Sequence, residues 1–113
     1  MTKEDHLQMQ VMSYIRYQYP DLLAFHTPNG GNRNALEGSK FKRMGVLPGV
    51  PDILIPKPNK QYYGLCIELK IHPNKTTDSQ KTVLGKFASS NWQTEVCYDY
   101  DTATKIIDNY LKN

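Results

Sequence analysis

The chain has 113 residues, of which 39% are hydrophobic and 22% charged, and this composition excludes a disordered protein and predicts one folded domain over residues 1–113. It contains no apolar run long enough to span a bilayer and no signal-peptide segment at its N-terminus, so we expect a cytoplasmic protein. The formal net charge of +3 permits a nucleic-acid partner without requiring one.

The first half of the chain is predicted to contain two helices and a short strand. Apolar residues at helical spacing predict a helix over residues 4–19, which ends before Pro20. Residues 22–26 are predicted to form a strand, followed by a loop rich in Pro, Gly and Asn. Residues 34–45 are predicted to form a short helix.

The second half is predicted to contain three strands and two helices. Residues 52–55 and 62–70 are predicted strands, and their short connection makes them an antiparallel hairpin. A helix over residues 78–90, a strand over 94–100 and a final amphipathic helix over 103–111 follow. The order α-β-α-β-β-α-β-α predicts an α/β protein with a mixed sheet flanked by helices. Two cysteines stand singly in apolar runs, which favours buried thiols in a reducing compartment over a disulfide; they are Cys66 and Cys97.

Two charged residues interrupt the apolar strand that contains the sequence IELKIH. Because side chains alternate along a strand, Glu68 and Lys70 share one face. A strand with one solvated face explains this pattern, and so does an active site. Asp52 begins the partner strand and can project toward Glu68, although a turn-capping aspartate is the alternative. Two close carboxylates repel each other unless they share a cation, and Mg²⁺ suits such oxygen ligands.

Three polar residues lie on the apolar stripes of the predicted helices. Gln80 follows Thr77 at capping-box spacing, which is a sufficient structural role, but its position also allows a hydrogen bond to water or phosphate at the site. Glu4 and Gln8 share the stripe of the first helix, where inward polar groups need partners. Fraying of the first turn is the alternative for Glu4.

The motifs PGVPDILI, CIELK and TDSQ resemble, in this order, the PD-(D/E)XK nuclease superfamily. Within it the chain resembles the VRR-NUC group in its small stand-alone form, which is typical of phages. EDHLQ resembles the opening helix of the family, PNGG its asparagine-glycine loop, and GVLPGVPD its glycine-rich approach to the metal-binding aspartate. The resemblance extends over almost the whole chain and implies a restriction-endonuclease-like mixed β-sheet flanked by α-helices, as one VRR-NUC domain.

The resemblance also implies a role for each matching residue. Asp52 and Glu68 would bind a divalent ion together with the backbone carbonyl of Leu69, and the ion would be Mg²⁺, with Mn²⁺ as a substitute. Lys70 would orient or activate the attacking water and stabilise charge on the phosphate.

Two further residues match the family at the edges of this site. Gln80 would correspond to the glutamine that follows the E-x-K strand. Glu4 would correspond to the N-terminal acid and reach the metal through water.

Substrate contacts are expected between the first two strands. Asn29, Gly30 and Gly31 can present backbone N–H groups to a phosphate. Four basic residues can follow a DNA backbone, although surface cations often serve solubility alone; they are Arg33, Lys40, Lys42 and Arg43. His26 and His72 are interpreted as incidental.

The function implied by the resemblance is a Mg²⁺-dependent DNA endonuclease, selective for branched DNA such as four-way junctions. A homodimer is expected, since a monomer this small has little surface for gripping a duplex. If the protein is phage-encoded, it would act in the host cytoplasm. The alternative is a non-catalytic nucleic-acid-binding module of the same fold, against which the complete set of acids argues, because buried charges are costly. A metal-free structural protein is the third interpretation.

Overall fold

The computed structural model describes residues 1–28 and 35–113, so that residues 29–34 of the predicted loop at 27–34 lie outside the described range. The helices and strands follow the predicted order, with shorter strands than predicted. In chain order they are α1 (Lys3–Gln18), β1 (Phe25–His26), α2 (Ala35–Arg43), β2 (Ile53–Ile55), β3 (Leu65–Leu69), α3 (Asp78–Ser89), β4 (Gln93–Cys97) and α4 (Tyr100–Lys112).

Two capping boxes define where the helices nearest the candidate site begin. At α1, the Thr2 hydroxyl accepts a hydrogen bond from the Asp5 N–H, and the Asp5 carboxylate accepts one from the Thr2 N–H. At α3, Thr77 and Gln80 form the predicted reciprocal pair. Because Asp5 completes the capping box with the N-cap residue Thr2, its neighbour Glu4 takes no part in the cap and lies half-buried in the first turn.

The four strands form a mixed sheet, as predicted, and their order within the sheet is β1-β2-β3-β4. β1 and β2 are antiparallel, the β2–β3 hairpin is antiparallel with Ile53 opposite Ile67, and β4 runs parallel to β3. Every residue of β3 is buried, because the strand is central and both faces are covered. The interpretation of Glu68 as part of a solvated strand face is therefore wrong.

The hydrophobic core lies between the sheet and the helices α1 and α4. It contains Val11 and Ile15 of α1, Ile107 and Tyr110 of α4, and Ile67 of β3, all almost fully buried. The same two helices are joined at the margin of the core by the Tyr14 hydroxyl, which donates to the Asp108 carboxylate at 2.7 Å. Burial of these apolar side chains is the main force that holds the helices on the sheet.

Helix α3 and the chain around it cover the opposite face of the sheet. Trp92 lies against Gly64, where a Cβ atom would meet the indole ring at 2.6 Å. The segment before β2 lies on the first turn of α3, since a Cβ atom at Gly49 would be 2.6 Å from the Ser79 carbonyl oxygen. This contact brings the start of β2 next to the start of α3.

Two predictions from composition can be compared with the structure directly. In the part of the chain that is described, no helix is both long and apolar enough to cross a membrane. Cys66 and Cys97 are buried free thiols, and burial raises the pKa of each to about 12.

We expect Gly49→Ala to destabilise the protein by about 2 kcal/mol or more, because Gly49 has a φ of +88° and its new Cβ would collide with backbone atoms of α3. Gly85→Ala is the matched control, since Gly85 lies within α3 and a Cβ there has open space around it. This control should stabilise the protein by about 0.5–1 kcal/mol. Urea unfolding of both variants measures the difference, and equal stabilities would contradict the role given to Gly49.

Candidate metal centre

Three carboxylates from different parts of the chain converge at one end of the sheet. Glu4, Asp52 and Glu68 each present an oxygen, and these three oxygens lie within 4.8 Å of one another. Glu4 comes from the first turn of α1, Asp52 precedes β2, and Glu68 lies in β3. We call these three residues the acid cluster.

Asp52 is held by contacts with both neighbouring strands. Its carboxylate accepts a hydrogen bond from the Leu69 N–H at 2.7 Å, and its backbone carbonyl lies 2.7 Å from Nδ1 of His26. The side chain thus reaches across the hairpin instead of capping a local turn. Burial raises the pKa of Asp52, and the hydrogen bond from Leu69 opposes this rise.

Glu68 is the most deeply buried member of the acid cluster, with 2% of its surface exposed. Its Oε2 accepts a hydrogen bond from Nε2 of Gln80 at 3.0 Å and lies 3.7 Å from Nζ of Lys70. Its Oε1 is buried and receives no hydrogen bond from any described residue. Burial, together with the charge of Asp52, raises the pKa of Glu68 to about 8. Without a metal ion, this group therefore still holds a proton at neutral pH for much of the time.

Lys70 places a cation beside the acid cluster. Its side chain is buried, and its backbone N–H donates to the Cys97 carbonyl at 2.9 Å, which fixes the end of β3 against β4. The ammonium group and the Glu68 carboxylate lie on the same side of β3, as strand alternation predicted.

Gln80 forms the predicted capping box, and its side chain also reaches the acid cluster, where it contacts Glu68, whereas the partner considered from the sequence was water or phosphate. Its Oε1 accepts a hydrogen bond from the Thr77 N–H at 2.9 Å, which completes the capping box. Its Nε2 donates to Glu68 at the same time. One amide can do both because its acceptor and its donors are at different atoms.

Glu4 and Gln8 lie one helical turn apart on α1. Glu4 is half-buried, and burial followed by the charge of Asp52 raises its pKa. Nε2 of Gln8 is buried and has no partner among the residues that the structure describes. Inward polar residues on α1 were expected to need partners, but the sequence assigned no role to Gln8.

The donor set of the acid cluster fits a metal ion. If all three were ionised, carboxylates at this separation would repel one another, and Oε1 of Glu68 accepts no hydrogen bond from any described residue. A hard cation would relieve both conditions, because carboxylate oxygens are the ligands that such ions prefer. The acid cluster can therefore hold a metal ion.

The other predicted contact residues are distributed as follows. Lys40, Lys42 and Arg43 are exposed on α2, while Asn29, Gly30, Gly31 and Arg33 lie outside the described residues. His72 stacks on Tyr98, with 4.1 Å between the ring centroids. The contact of His26 with Asp52 had no signal in the sequence, because it depends on the pairing of β1 with β2.

The sheet and its acids define a class of protein. A mixed sheet flanked by helices, with two acids and a lysine on neighbouring strands of an antiparallel pair, is typical of α/β restriction-endonuclease-like folds. The VRR-NUC domain family matches residues 4–99, and the chain belongs to this family, as its motifs predicted.

Two solved structures support the same assignment. A "VRR_NUC domain protein" has 29% sequence identity and a TM-score of 0.81, over 99% of this chain and 90% of that one. A "VRR_NUC domain" structure has 19% identity and a TM-score of 0.62, over 97% of this chain and 99% of that one, and this likeness concerns the fold alone. No curated protein matches the sequence.

In the absence of divalent ions, we expect the stability of the protein to fall as the pH rises from about 5 to about 8. Over this range the unfolded chain has released the Glu68 proton while the folded protein, with its raised pKa, still holds it. The stabilising contribution is therefore complete below the unfolded pKa and is lost as the pH approaches the folded value.

Glu68→Gln cannot titrate, so the difference in stability between it and the wild type should change by about 1–3 kcal/mol across this range. Urea unfolding in EDTA at both pH values measures the change. Mn²⁺ or Mg²⁺ should stabilise the wild type at pH 8 and have little effect on Glu68→Gln. If the unfolding free energies of the wild type and Glu68→Gln changed equally with pH in EDTA, this prediction would be wrong.

Proposed function

We propose that the protein is a Mg²⁺-dependent endonuclease that hydrolyses phosphodiester bonds of DNA. The observation that carries the proposal is the acid cluster, in which Oε1 of Glu68 is buried without a hydrogen-bond donor among the described residues and which has the Lys70 ammonium beside it. The nuclease-type fold of the VRR-NUC family supports the same reaction class. We include in this proposal that residues 1–113 act as one nuclease domain.

The proposed metal ligands are Asp52, Glu68 and the backbone carbonyl of Leu69, with Glu4 acting through water. When bound, Mg²⁺ supplies positive charge that makes a neighbouring water more acidic and offsets the charge of the phosphate; Mn²⁺ would substitute. Gln80 holds Oε2 of Glu68, so that Oε1 is the oxygen left for the ion.

Lys70 is the proposed positioning and charge-stabilising group. Its ammonium lies 3.7 Å from Oε2 of Glu68 and is therefore beside the acid cluster. From there it can donate a hydrogen bond to the attacking water or to a non-bridging phosphate oxygen. Because Lys70 is almost fully buried, its charge is weakly screened and acts strongly on a developing negative charge.

The proposed substrate is branched DNA, such as a four-way junction, bound by a homodimer in the cytoplasm. Lys40, Lys42 and Arg43 would contact the DNA backbone, as would Arg33 and the loop containing Asn29, Gly30 and Gly31. The support for a dimer is physical, since a 13.0 kDa monomer offers little surface to hold a duplex.

We expect Asp52→Asn and Lys70→Ala to reduce DNA cleavage by about 10²-fold or more, because each removes charge at the reacting centre. Lys81→Ala is the control, since Lys81 is an exposed lysine on α3. This variant should cleave DNA at the wild-type rate. A panel of labelled duplex, nicked and branched DNAs, with Mg²⁺ or EDTA, measures the rates. If the wild type and Asp52→Asn show the same background level of DNA cleavage, the protein is a non-catalytic binding module instead.

Gln80→Ala and Thr77→Ala separate the two roles of the glutamine. Both variants lose part of the α3 cap and should lose similar stability, about 0.5–2 kcal/mol. Gln80→Ala alone also removes the hydrogen bond to Glu68, so we expect about tenfold slower cleavage, since hydrogen bonds to charged groups contribute about 1.5–3 kcal/mol. Equal cleavage rates in the two variants would leave Gln80 with a capping role only.

A further inference from the structure

A group of large apolar side chains is exposed directly after the basic helix α2. Met44, Val46 and Leu47 have 68%, 45% and 47% of their surface exposed. We call these three residues the apolar tip. Single exposed apolar residues are ordinary, but three within four positions of the chain concentrate apolar surface, and concentrated apolar surface marks interaction sites.

The apolar tip has a defined backbone conformation. The Val46 N–H donates to the Phe41 carbonyl at 2.9 Å, and the Gly45 N–H donates to the Lys42 carbonyl at 3.1 Å. Gly45 has a φ of +101°, so the end of α2 is a Schellman motif with glycine in the left-handed region. Backbone hydrogen bonds therefore fix the conformation of the tip before any partner binds. Binding through the tip then loses little backbone conformational entropy.

Cations border the apolar tip. Lys40, Arg43 and Met44 line a surface recess of about 320 Å³, and Lys42 is exposed on the same helix. A partner that fits this surface carries negative charge and also presents apolar faces. A nucleotide with an unstacked base has both properties, since its phosphate can pair with Lys or Arg and its base can pack on Met or Leu.

The chain connects the apolar tip to the acid cluster over a short distance. Leu47 and Asp52 are five residues apart, so their Cα atoms are separated by at most about 18 Å. Gly49 lies between them and is packed on the backbone of Ser79 at the start of α3. On DNA, about 18 Å corresponds to about five base steps along one strand.

We propose that the apolar tip inserts between unstacked bases of DNA, with Leu47 within about five steps of the phosphate that is cleaved. This inference rests on the proposed nuclease function and adds a physical cause for selectivity. Parting two stacked bases costs a few kcal/mol, and the cost is smallest where pairing or stacking is already broken. The tip therefore favours branch points and mismatches over intact duplex. A second copy of the chain on this face would bring the cations of both α2 helices together, which is unfavourable.

The experiment compares Met44→Ser/Leu47→Ser with the control Met9→Ser, which changes an exposed methionine of α1. For the DNA-binding measurement, each of these changes is combined with Asp52→Asn, so that the DNA is not cleaved. The probe is a four-way junction with 2-aminopurine at the branch point, whose fluorescence rises when its base is unstacked. We expect this rise with Asp52→Asn alone and with the Met9→Ser control, and its loss in the tip variant. Cleavage is measured with Asp52 unchanged. In that protein, the tip variant should lower the ratio of junction cleavage to duplex cleavage about tenfold.

Three outcomes would overturn the inference. The first is an unchanged fluorescence rise and cleavage ratio in the tip variant. The second is loss of a dimer in that variant by sedimentation, which would make the tip a subunit interface. The third is tip-dependent binding to vesicles of phosphatidylserine and phosphatidylcholine without any DNA effect, which would make it a membrane contact. The absence of all cleavage would refute the nuclease function, but the fluorescence measurement would still test base insertion.

Discussion

The buried carboxyl group of Glu68 is the constraint on which the rest of the site depends. A carboxylate with 2% exposure is unfavourable unless it is protonated, hydrogen-bonded or paired with a cation. Gln80 and Lys70 satisfy one of its oxygens, and the other remains without a donor among the described residues. The fold thus retains an electrostatic cost in the metal-free protein, which a bound cation would offset. Functional sites often carry such a cost in stability.

Three contacts that involve backbone atoms determine how the acid cluster is assembled. The capping box at Thr2 and Asp5 positions Glu4, and the hydrogen bond from Leu69 holds Asp52 against β3. On the other side, the packing of the segment before β2 on α3 brings Gln80 next to Glu68. Each contact involves backbone atoms, so the geometry does not depend on long flexible side chains alone. This kind of preorganisation is what electrostatic catalysis requires.

The apolar tip and one member of the acid cluster, Asp52, lie close together in the chain, but the tip and the cluster contribute different properties. Under the proposed function, the acid cluster supplies chemistry that any phosphodiester could undergo. The apolar tip, with Lys40 and Arg43 beside it, would supply the surface that distinguishes stacked from unstacked nucleotides. Selectivity for DNA structure can therefore change by substitution at the tip without any change in the metal ligands.

Much of the architecture followed from local patterns in the sequence. Helical stripes, the hairpin between β2 and β3 and the cap of α3 were predictable because each depends on residues close together in the chain. Strand alternation also placed Glu68 and Lys70 on one side of β3. The tertiary structure decided the rest: that β3 is central and buried on both faces, that Glu4 lies within reach of Asp52 across 48 positions of sequence, and that His26 contacts Asp52. These features depend on packing between distant segments, and no local spacing or propensity encodes the distance between them.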